Sequence, residues 1–442
     1  MLEFKLSRRG LLGAATSAAI ASAFPAPFVR AQSERRIVFW HSYSQKERSD
    51  HMRLVANRFE QANPGVKVDI EVVPWPAFPQ KWPAAAAAGT LPDVTILLAE
   101  NAVPMSLAGA LLPMDDVLAS LGGADAFKGN IAIATGRFRD QQISIPHYVH
   151  NRLLVYRKDR LAEAGLKPPV TWDDALNAAV ATTRAPDHFG WIPKLAKGDV
   201  GGGYLLWMMT RSANGSFFDK DGNVSFDSQP VRDATQFIIE IARKSGGPGV
   251  TDYKISDNFN LVNSGKTSLA EDSAAIVAGA AQKAPDVAAQ LDATFMPKRE
   301  RVGNLMGGIS VALPKGSNPE DGNAFAKFLF TEENYLPFLL TIPLFMFPAL
   351  KSAEGPAFFD NPTIQRFRNV VDVTLTGLQD STLAGMEDGL NPYAGPVFNS
   401  YAVEDMFQRI LLQDEPVEQA VAQTAKAIEK VVGDVKTRLD RG

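Results

Sequence analysis

The sequence predicts an α/β fold in which strands alternate with helices. Between residues 36 and 98, apolar runs with the spacing of strands alternate with runs that have the spacing of helices. The chain has 442 residues, enough for two or three domains that each bury a sizeable core. Hydrophobic residues make up 45% of the chain and charged residues 21%, which is the composition of a globular protein. A large α/β protein of more than one domain is therefore expected.

Five elements near the N-terminus support this prediction, because their hydrophobic residues recur at strand or helix spacing. In order, they are a strand at 36–40, a helix through Met52, Val55, Ala56 and Phe59, a strand at 66–72, a helix at 84–88 and a strand at 93–98. The Asn-Pro-Gly sequence at 63–65 ends the first helix, and Gly89 ends the second. Successive strand–helix–strand units form parallel sheets, which bind ligands beyond the carboxyl ends of their strands.

Polar and aromatic residues follow each of these strands. His41 comes directly after the first strand, the segment 74–78 follows the second, and Glu100 follows the third. Because the carboxyl ends of parallel strands meet at one edge of a sheet, we expect residues at these ends to line a ligand site. The candidates from this edge are Ser42, Tyr43, Trp75, Glu100 and Asn101.

The composition excludes several kinds of protein. The chain contains no cysteine, which rules out disulfides, iron–sulfur clusters, cysteine-ligated zinc and thiol nucleophiles. Its 5 histidines leave little room for a metal centre, and its net charge of −4 argues against nucleic acid as a partner. We therefore expect no cofactor, no resident metal and no nucleic acid.

The first 31 residues have the form of an export signal. Residues 7–12 read Ser-Arg-Arg-Gly-Leu-Leu, which is typical of the twin-arginine type, and cleavage is expected near Ala31. The apolar run of about 14 residues is shorter than the roughly 20 that a helix needs to span a bilayer. An ordinary secretory signal and a frayed N-terminus are the alternatives, and a signal of either type predicts a soluble protein in the periplasm.

The segment 145–176 carries a further pattern. Residues 156–159 read Tyr-Arg-Lys-Asp, residues 164–166 read Ala-Gly-Leu, and residues 168–174 read Pro-Pro-Val-Thr-Trp-Asp-Asp. This run resembles the extracellular solute-binding proteins of carbohydrate ABC importers, the maltose-binding-protein-like family. Further similar segments lie at 91–94, 259–269, 304–310 and 318–334.

The resemblance implies a two-lobed periplasmic-binding-protein fold of type II, in which each lobe is a mostly parallel sheet flanked by helices and a hinge joins the lobes. Closure about such a hinge traps a ligand between two rigid bodies. After the signal at 1–31, the implied lobes are residues 32–147 plus 296–331 for lobe one and 148–295 plus 332–442 for lobe two. The implied crossings between the lobes lie near 145–151, near 295–297 and near Thr331.

The resemblance also implies a function. The chain is expected to be the periplasmic receptor of an ABC importer, a monomer without enzyme activity that captures a sugar or oligosaccharide and delivers it to an inner-membrane permease. Many family members place a sugar-stacking Trp shortly after the Gly-Lys segment, where residues 271–275 here read Glu-Asp-Ser-Ala-Ala. Other small solutes, namely a polyol, a sugar phosphate, an amino compound or a metal, therefore stay open.

Sugars offer hydroxyls that need paired donors and acceptors, and apolar faces that favour aromatic rings. The predicted site is completed by polar and aromatic residues of these types and by two glycines, which allow the backbone to approach a ligand closely. They are His150, Trp191, Tyr204, Glu271, Asp272, Gly307, Gly308 and Asn399. Trp172 and Trp207 are instead predicted to lie in the core. Thr171 and Asp174 have the spacing of a capping box, and an amphipathic helix from Pro416 is expected to pack onto lobe two.

Two rival functions find less support in the residues. A secreted hydrolase needs paired carboxylates, but the adjacent acids at 271–272 lie in a predicted strand and point to opposite faces. The segment 264–267 reads Ser-Gly-Lys-Thr like the end of a phosphate loop, yet Asn260 stands where that motif needs glycine. A metal pair at His147 and His150 needs a helix, whereas this segment is predicted to be extended.

Overall fold

Two β-sheets organise the protein, and the computed structural model describes residues 34–74 and 77–439. The strands are β1 Arg35–His41, β2 Val66–Val72, β3 Val94–Leu97, β4 Arg137–Phe138, β5 Gln141–Gln142, β6 Ile145–Asn151, β7 Leu153–Arg157, β8 Phe189–Trp191, β9 Thr267–Asp272, β10 Leu291–Thr294 and β11 Met306–Ala312. The helices are α1 Lys46–Ala62, α2 Phe78–Ala88, α3 Ala99–Leu107, α4 Asp115–Ser120, α5 Ile131–Gly136, α6 Lys158–Glu163, α7 Trp172–Ala181, α8 Gly201–Ser212, α9 Gln229–Ser245, α10 Ile255–Asn263, α11 Ala275–Lys283, α12 Pro285–Ala288, α13 Pro319–Phe328, α14 Glu332–Leu339, α15 Pro356–Phe359, α16 Pro362–Arg366, α17 Arg368–Gly377, α18 Ala394–Phe398, α19 Ala402–Gln413 and α20 Val417–Leu439. Short 3₁₀ turns occur at Ala124–Ala126, Lys351–Ala353 and Leu378–Asp380.

The first sheet has five strands in the order β2-β1-β3-β11-β6. β1 pairs in parallel with β2 and with β3, and α1 and α2 connect these strands, so the predicted strand–helix succession is confirmed. β11 runs antiparallel to both β3 and β6. Ile37, Phe39, Val94 and Ile96 are fully buried. Their burial determines the register, because a slip by one residue would turn them to the opposite face.

The second sheet has four strands in the order β10-β7-β9-β8. β7 is antiparallel to β10 and β9, and only the pairing of β8 with β9 is parallel. In each sheet a single strand runs against the others, β11 in the first and β7 in the second, so the expectation of mostly parallel sheets is confirmed with one antiparallel strand in each. Both of these strands, β11 and β7, directly follow a connection between the sheets, and each pairs antiparallel with both of its neighbours.

Two connections join the sheets. The chain leaves the first sheet after β6 and enters the second with β7, so Arg152 is the single residue between these strands. The chain returns between β10 and β11, through residues 295–305. The backbone N–H of Arg152 donates to the carbonyl oxygen of Leu305 at 2.9 Å. The two connections are thus hydrogen-bonded to each other.

The C-terminal part of the chain packs beside both sheets. α14 packs on α1 and Phe347 pairs with Val149 of β6, whereas α19 packs on α8 and α20 on α9. The lobe boundaries stay predictions, and the contact of α14 with α1 favours a crossing later than Thr331. α20 is the amphipathic helix predicted from Pro416. Among the described residues, no helix is both long enough and apolar enough to cross a membrane.

The N-terminal cap of α7 and the packing of two tryptophans agree with the sequence predictions. The Asp174 N–H donates to Thr171 Oγ1 at 3.1 Å, and the Thr171 N–H donates to the Asp174 carboxylate at 2.9 Å, which confirms the predicted capping box. Trp172 stacks on Phe237 with 4.8 Å between ring centres, and Trp207 is buried in α8. Both tryptophans therefore belong to the core, as predicted.

Candidate functional site

A cavity of about 210 Å³ lies where strands of the first sheet meet helices that pack beside the second. One wall comes from β6, from β11 and from the residues that follow β3, and the other from α8, from the segment 383–386 and from α18. The lining comprises Leu98, Glu100, His150, Arg152, Tyr204, Leu305, Met306, Gly307, Gly308, Ile309, Leu383, Ala384, Met386, Gly395, Phe398 and Asn399. Residues of the predicted site that the structure brings together here are Glu100, His150, Tyr204, Gly307, Gly308 and Asn399.

Glu100 places a carboxylate in this cavity without a counterion. The residue lies in the first turn of α3, immediately after β3. Apart from its own backbone N–H, no described residue forms a hydrogen bond or an ion pair with this carboxylate. Burial raises the pKa of Glu100, because it disfavours the charged form. The carboxylate is thus an acceptor that a hydroxyl group of a ligand can satisfy.

His150 contributes an imidazole whose position depends on Gly307. The two residues are neighbours in the β6–β11 pair, and a Cβ atom at position 307 would lie 2.2 Å from Cε1 of His150. At Gly308, a Cβ atom would lie 2.5 Å from the carbonyl oxygen of Tyr148. Both glycines therefore make room for groups of β6. Burial, reinforced by the charge of Arg152, lowers the pKa of His150 to about 4, so the ring is neutral at pH 7.

The ring of His150 also has a free polar atom. Its Nδ1 is buried and has no hydrogen-bond partner among the described residues. A buried polar atom is normally paired, because leaving it unpaired costs about 1–3 kcal/mol. A ligand or a water molecule in the cavity could provide the missing partner.

Tyr204 and Phe398 form the aromatic part of the lining. Their ring centres are 5.3 Å apart, and Tyr204 lies in the first turn of α8. Burial raises the pKa of Tyr204, and the negative charge of Glu100 raises it further. The hydroxyl therefore stays protonated at neutral pH and can donate to a ligand. The remaining wall is apolar and consists of Leu98, Leu305, Met306, Ile309, Leu383, Ala384 and Met386.

Arg152 lines the cavity, although it was not among the predicted site residues. Its side chain is 11% exposed, and Nη1 lies 3.1 Å from Oε1 of Glu271 and 3.4 Å from Oδ1 of Asp272. Burial lowers the pKa of Arg152, but the two carboxylates raise it more, so the guanidinium is charged. One feature of the sequence indicates a special role for Arg152, because it is the only Asp, Glu, Lys or Arg in residues 145–155.

Glu271 and Asp272 do not line the cavity, because both are engaged in contacts within the protein. The Lys194 ammonium donates to the Glu271 carboxylate, and Asn258 Nδ2 donates to Asp272 at 2.8 Å. Both carboxylates are buried at the end of β9. Two acids thus face two cations, Arg152 and Lys194, and the cluster carries no net charge.

Other predicted residues also lie outside this cavity. Trp191 is only 1% exposed, because its ring packs in the core, and Tyr43 is fully buried in the loop between β1 and α1. Ser42 is buried and Asn101 is partly exposed, and neither lines the cavity. Trp75 lies outside the described residues, as does the predicted export signal.

The lining combines polar groups of both kinds with apolar walls. Arg152 and Tyr204 supply donors, Glu100 supplies an acceptor, and the neutral ring of His150 supplies one of each. Such a lining is suited to a small molecule that carries several hydroxyl groups. In the part of the chain that the structure describes, no group of His, Asp and Glu is arranged to hold a metal ion.

A family model for bacterial extracellular solute-binding proteins matches residues 45–335. A binding protein of Brucella abortus is 28% identical over 271 residues, which cover 59% of this chain and 62% of that protein. The mannitol-binding protein of Pseudomonas aeruginosa is 25% identical over 296 residues, which cover 62% of this chain and 64% of that protein. The match therefore spans less than two thirds of the length of these relatives.

The fold is shared with solved structures. The sugar-binding protein MalE of Xanthomonas citri matches with a TM-score of 0.75 at 19% identity, over 92% of this chain and 100% of that one. This similarity shows that the chain has the two-lobed fold of type II that the sequence resemblance implies.

Proposed function

The chain belongs to the family of bacterial extracellular solute-binding proteins, and from this membership we propose that it is the solute receptor of an ABC importer. It binds a small sugar or polyol in the cavity and delivers it to a permease in the inner membrane. The similarity to a mannitol-binding protein supports this class of solute. The receptor acts as a monomer and leaves its solute chemically unchanged.

The cavity between the sheets is the observation that carries the proposal. Its volume of about 210 Å³ is below the roughly 300–1,000 Å³ of pockets for drug-sized ligands. One monosaccharide or one linear polyol is therefore favoured over an oligosaccharide. Tyr204 and Phe398 cover the C–H faces of such a solute, while Glu100, His150 and Arg152 pair with its hydroxyls. Each hydroxyl left unpaired would cost about 1–3 kcal/mol, so a few fixed polar groups suffice to discriminate between solutes.

The charges of the lining favour a neutral solute. The charge of Arg152 is compensated by Glu271 and Asp272, whereas the charge of Glu100 has no counterion among the described residues. A sugar phosphate would bring a second negative charge close to Glu100, which is unfavourable in a partly desolvated site. A solute with an amino group is the second candidate, because Glu100 would pair with it.

We also propose the export route and the lobes that the sequence predicts. Residues 1–31 direct export by the twin-arginine route and are cleaved near Ala31, which agrees with the extracellular location of the family. The predicted lobes, with α14 assigned to lobe one because it packs on α1, then close on the solute about the connections at Arg152 and 295–305. Terminal sequencing of the protein recovered from the periplasm tests the cleavage, and a terminus that still contains the paired arginines would contradict it.

Thermal unfolding in the presence of single solutes tests the proposed function. D-mannitol, D-glucose, maltose, glucose 6-phosphate and glucosamine are added separately to the purified protein. A ligand that binds only the folded state at a hundredfold excess over its Kd stabilises it by about 2.7 kcal/mol. We expect a rise in Tm with mannitol or glucose and none with the phosphate. A shift with glucosamine alone would support the second candidate, and no shift with any of the five would contradict the proposal.

A further inference from the structure

Glu404 is a buried carboxylate that has no cation beside it. It lies in the first turn of α19 and is 1% exposed. Among the described residues, no Lys, Arg or His forms an ion pair with it. Its sequence neighbour Asp405 pairs with Lys197 at 2.8 Å, so the cation on this side is already engaged. A contact other than a salt bridge must therefore stabilise Glu404.

That contact is with the N-terminus of α8. Oε1 of Glu404 accepts the backbone N–H of Gly203 at 2.7 Å. A Cβ atom would lie 3.3 Å from this oxygen at Gly202 and 3.4 Å from it at Gly203, so side chains there would press on the carboxylate. The first N–H groups of a helix have no partner within the helix and carry a partial positive charge, which favours a carboxylate at this end.

The contact between Glu404 and α8 adjoins the cavity without being part of its lining. Tyr204, which follows Gly203 directly, projects into the cavity. Phe398 of α18 also lines the cavity, and its ring lies 3.1 Å from the position of a Cβ at Gly203. The turn that Glu404 holds therefore carries Tyr204 and packs against Phe398, the two aromatic residues of the lining.

We propose that Glu404 is a proton-sensitive positioning residue for solute binding. As a carboxylate it holds the first turn of α8, and with it Tyr204, in the geometry that binds solute. On protonation it loosens this turn, and the affinity falls. A hydrogen bond to a charged acceptor is about twice as strong as one to a neutral acceptor. The hydrogen bond from Gly203 lowers the pKa of Glu404, so protonation favours the arrangement without this bond while the carboxyl group stays buried. The choice of ligand in this inference rests on the proposed function. The effect of Glu404 protonation on the first turn of α8 does not.

The surroundings of Glu404 place this titration in the neutral range. Burial raises the pKa of Glu404 to about 7, although the hydrogen bond from Gly203 opposes the rise, and the negative charges of Asp199 and Asp405 add to it. Asp199 faces the same helix end, where its carboxylate accepts the Gly201 N–H at 2.9 Å. From α8, Tyr204 faces Glu404 in its protonated form, because burial raises the pKa of its hydroxyl.

Amide hydrogen exchange tests the positioning without any solute. The peptide that covers the first turn of α8 is followed between about pH 5.5 and pH 8.5, with rates corrected for the intrinsic effect of pH. We expect protection of this turn in the wild-type protein to fall on acidification. In Glu404→Gln it should not change with pH, because the amide accepts the same N–H but does not titrate. Equal pH dependence in both proteins, or none in the wild type, would overturn the proposal.

Calorimetric titration with D-mannitol over the same pH range tests the effect on binding. The Kd of the wild type should rise about fivefold or more on acidification, which is the lower end of typical coupling between sites. Glu404→Gln should bind with one Kd throughout. Asp405→Asn is the matched control, which should keep the pH dependence but shift it to lower pH, because one negative neighbour is lost.

Glu100→Gln serves as the second control in this titration, because Glu100 is an acid within the cavity itself. A pH dependence that disappears in Glu100→Gln but persists in Glu404→Gln would overturn the proposal. If mannitol does not bind, D-glucose replaces it in this titration. If neither solute binds, the proposed class of solute is wrong, while hydrogen exchange still decides the role of Glu404.

Discussion

The guanidinium of Arg152 lies 3.1 Å from the carboxylate of Glu271, and this ion pair attaches the connection between the two sheets to the end of β9. Arg152 is at the same time part of the cavity lining. Its backbone N–H donates to Leu305 of the second connection. One residue therefore links the cavity to both connections between the sheets.

Replacement of Arg152 by Met should destabilise the ligand-free protein by about 3–5 kcal/mol, the usual cost of removing one partner from a buried ion pair. The reason is that Glu271 and Asp272 would share a single remaining cation, Lys194. Urea unfolding measures the loss. Lys197→Met is the control, because this side chain is 70% exposed, and it should cost less than about 1 kcal/mol. Equal losses in the two variants would contradict a structural role for Arg152.

Glu100→Ala should weaken the binding of a neutral polyol by about 1–3 kcal/mol, because a solute hydroxyl loses its acceptor. The unfolding free energy of the ligand-free protein should not fall, since a desolvated charge without a counterion is removed. Calorimetric titration with D-mannitol and thermal unfolding measure the two effects. Asn101→Ala, on the same helix but outside the cavity, should bind like the wild type. Unchanged affinity in Glu100→Ala would remove this residue from the site.

Gly307→Ala should displace the imidazole of His150, because the added Cβ would lie 2.2 Å from its Cε1. Overpacking of this kind typically costs about 1–3 kcal/mol of stability. Adding His150→Ala should recover most of the unfolding free energy but not the affinity for the solute. Gly355→Ala is the control, because a Cβ there meets no atom within 4 Å. A loss of stability that the second substitution does not restore would contradict the steric explanation.

The parts of the fold that the sequence predicted are those that depend on local spacing. The alternation in β2 and the helical spacing in α1 are read over a few residues, and the capping box of Thr171 and Asp174 spans one turn of helix. Such patterns report which face of an element is buried. The strand order and the antiparallel direction of β7 and β11 were not predicted, because pairing between distant strands leaves no local pattern.

The sequence predicted only some of the residues that line the cavity, for the same reason. Glu100 reaches the cavity because it directly follows a strand, which the sequence indicates. Glu271 and Asp272 are carboxylates, a residue type expected in a solute site. Glu271 nevertheless pairs with Lys194, 77 residues away, and with Arg152, 119 residues away. No spacing rule connects these positions. Whether an acid faces a ligand or a buried cation is decided by tertiary packing.

Two buried histidines of the first sheet should make the protein sensitive to acid. His41 and His147 are fully buried, and the hydroxyl of Tyr43 lies 3.0 Å from Nδ1 of His147. Burial lowers the pKa of His41 to about 4 and that of His147 to about 3. In the unfolded chain, histidine titrates near pH 6.5. Below about pH 6.5 the unfolded state therefore binds protons that the folded state does not, so the free energy of unfolding falls as the pH falls towards 4 and 3.

His147→Gln isolates one of these contributions, because glutamine still accepts a hydrogen bond from Tyr43 but does not titrate. Each pKa unit between the folded and unfolded states corresponds to about 1.4 kcal/mol, so the wild type should lose several kcal/mol more than the variant between about pH 6.5 and pH 4. Urea unfolding at constant ionic strength measures both profiles, and the carboxylates contribute equally to each. If the unfolding free energies of the two proteins fall in parallel with pH, the pKa of His147 is not lowered in the folded protein. The variant could be less stable at pH 7 and yet lose less unfolding free energy on acidification. That result would show that the imidazole of His147 stabilises the sheet at neutral pH and that its protonation destabilises the folded protein.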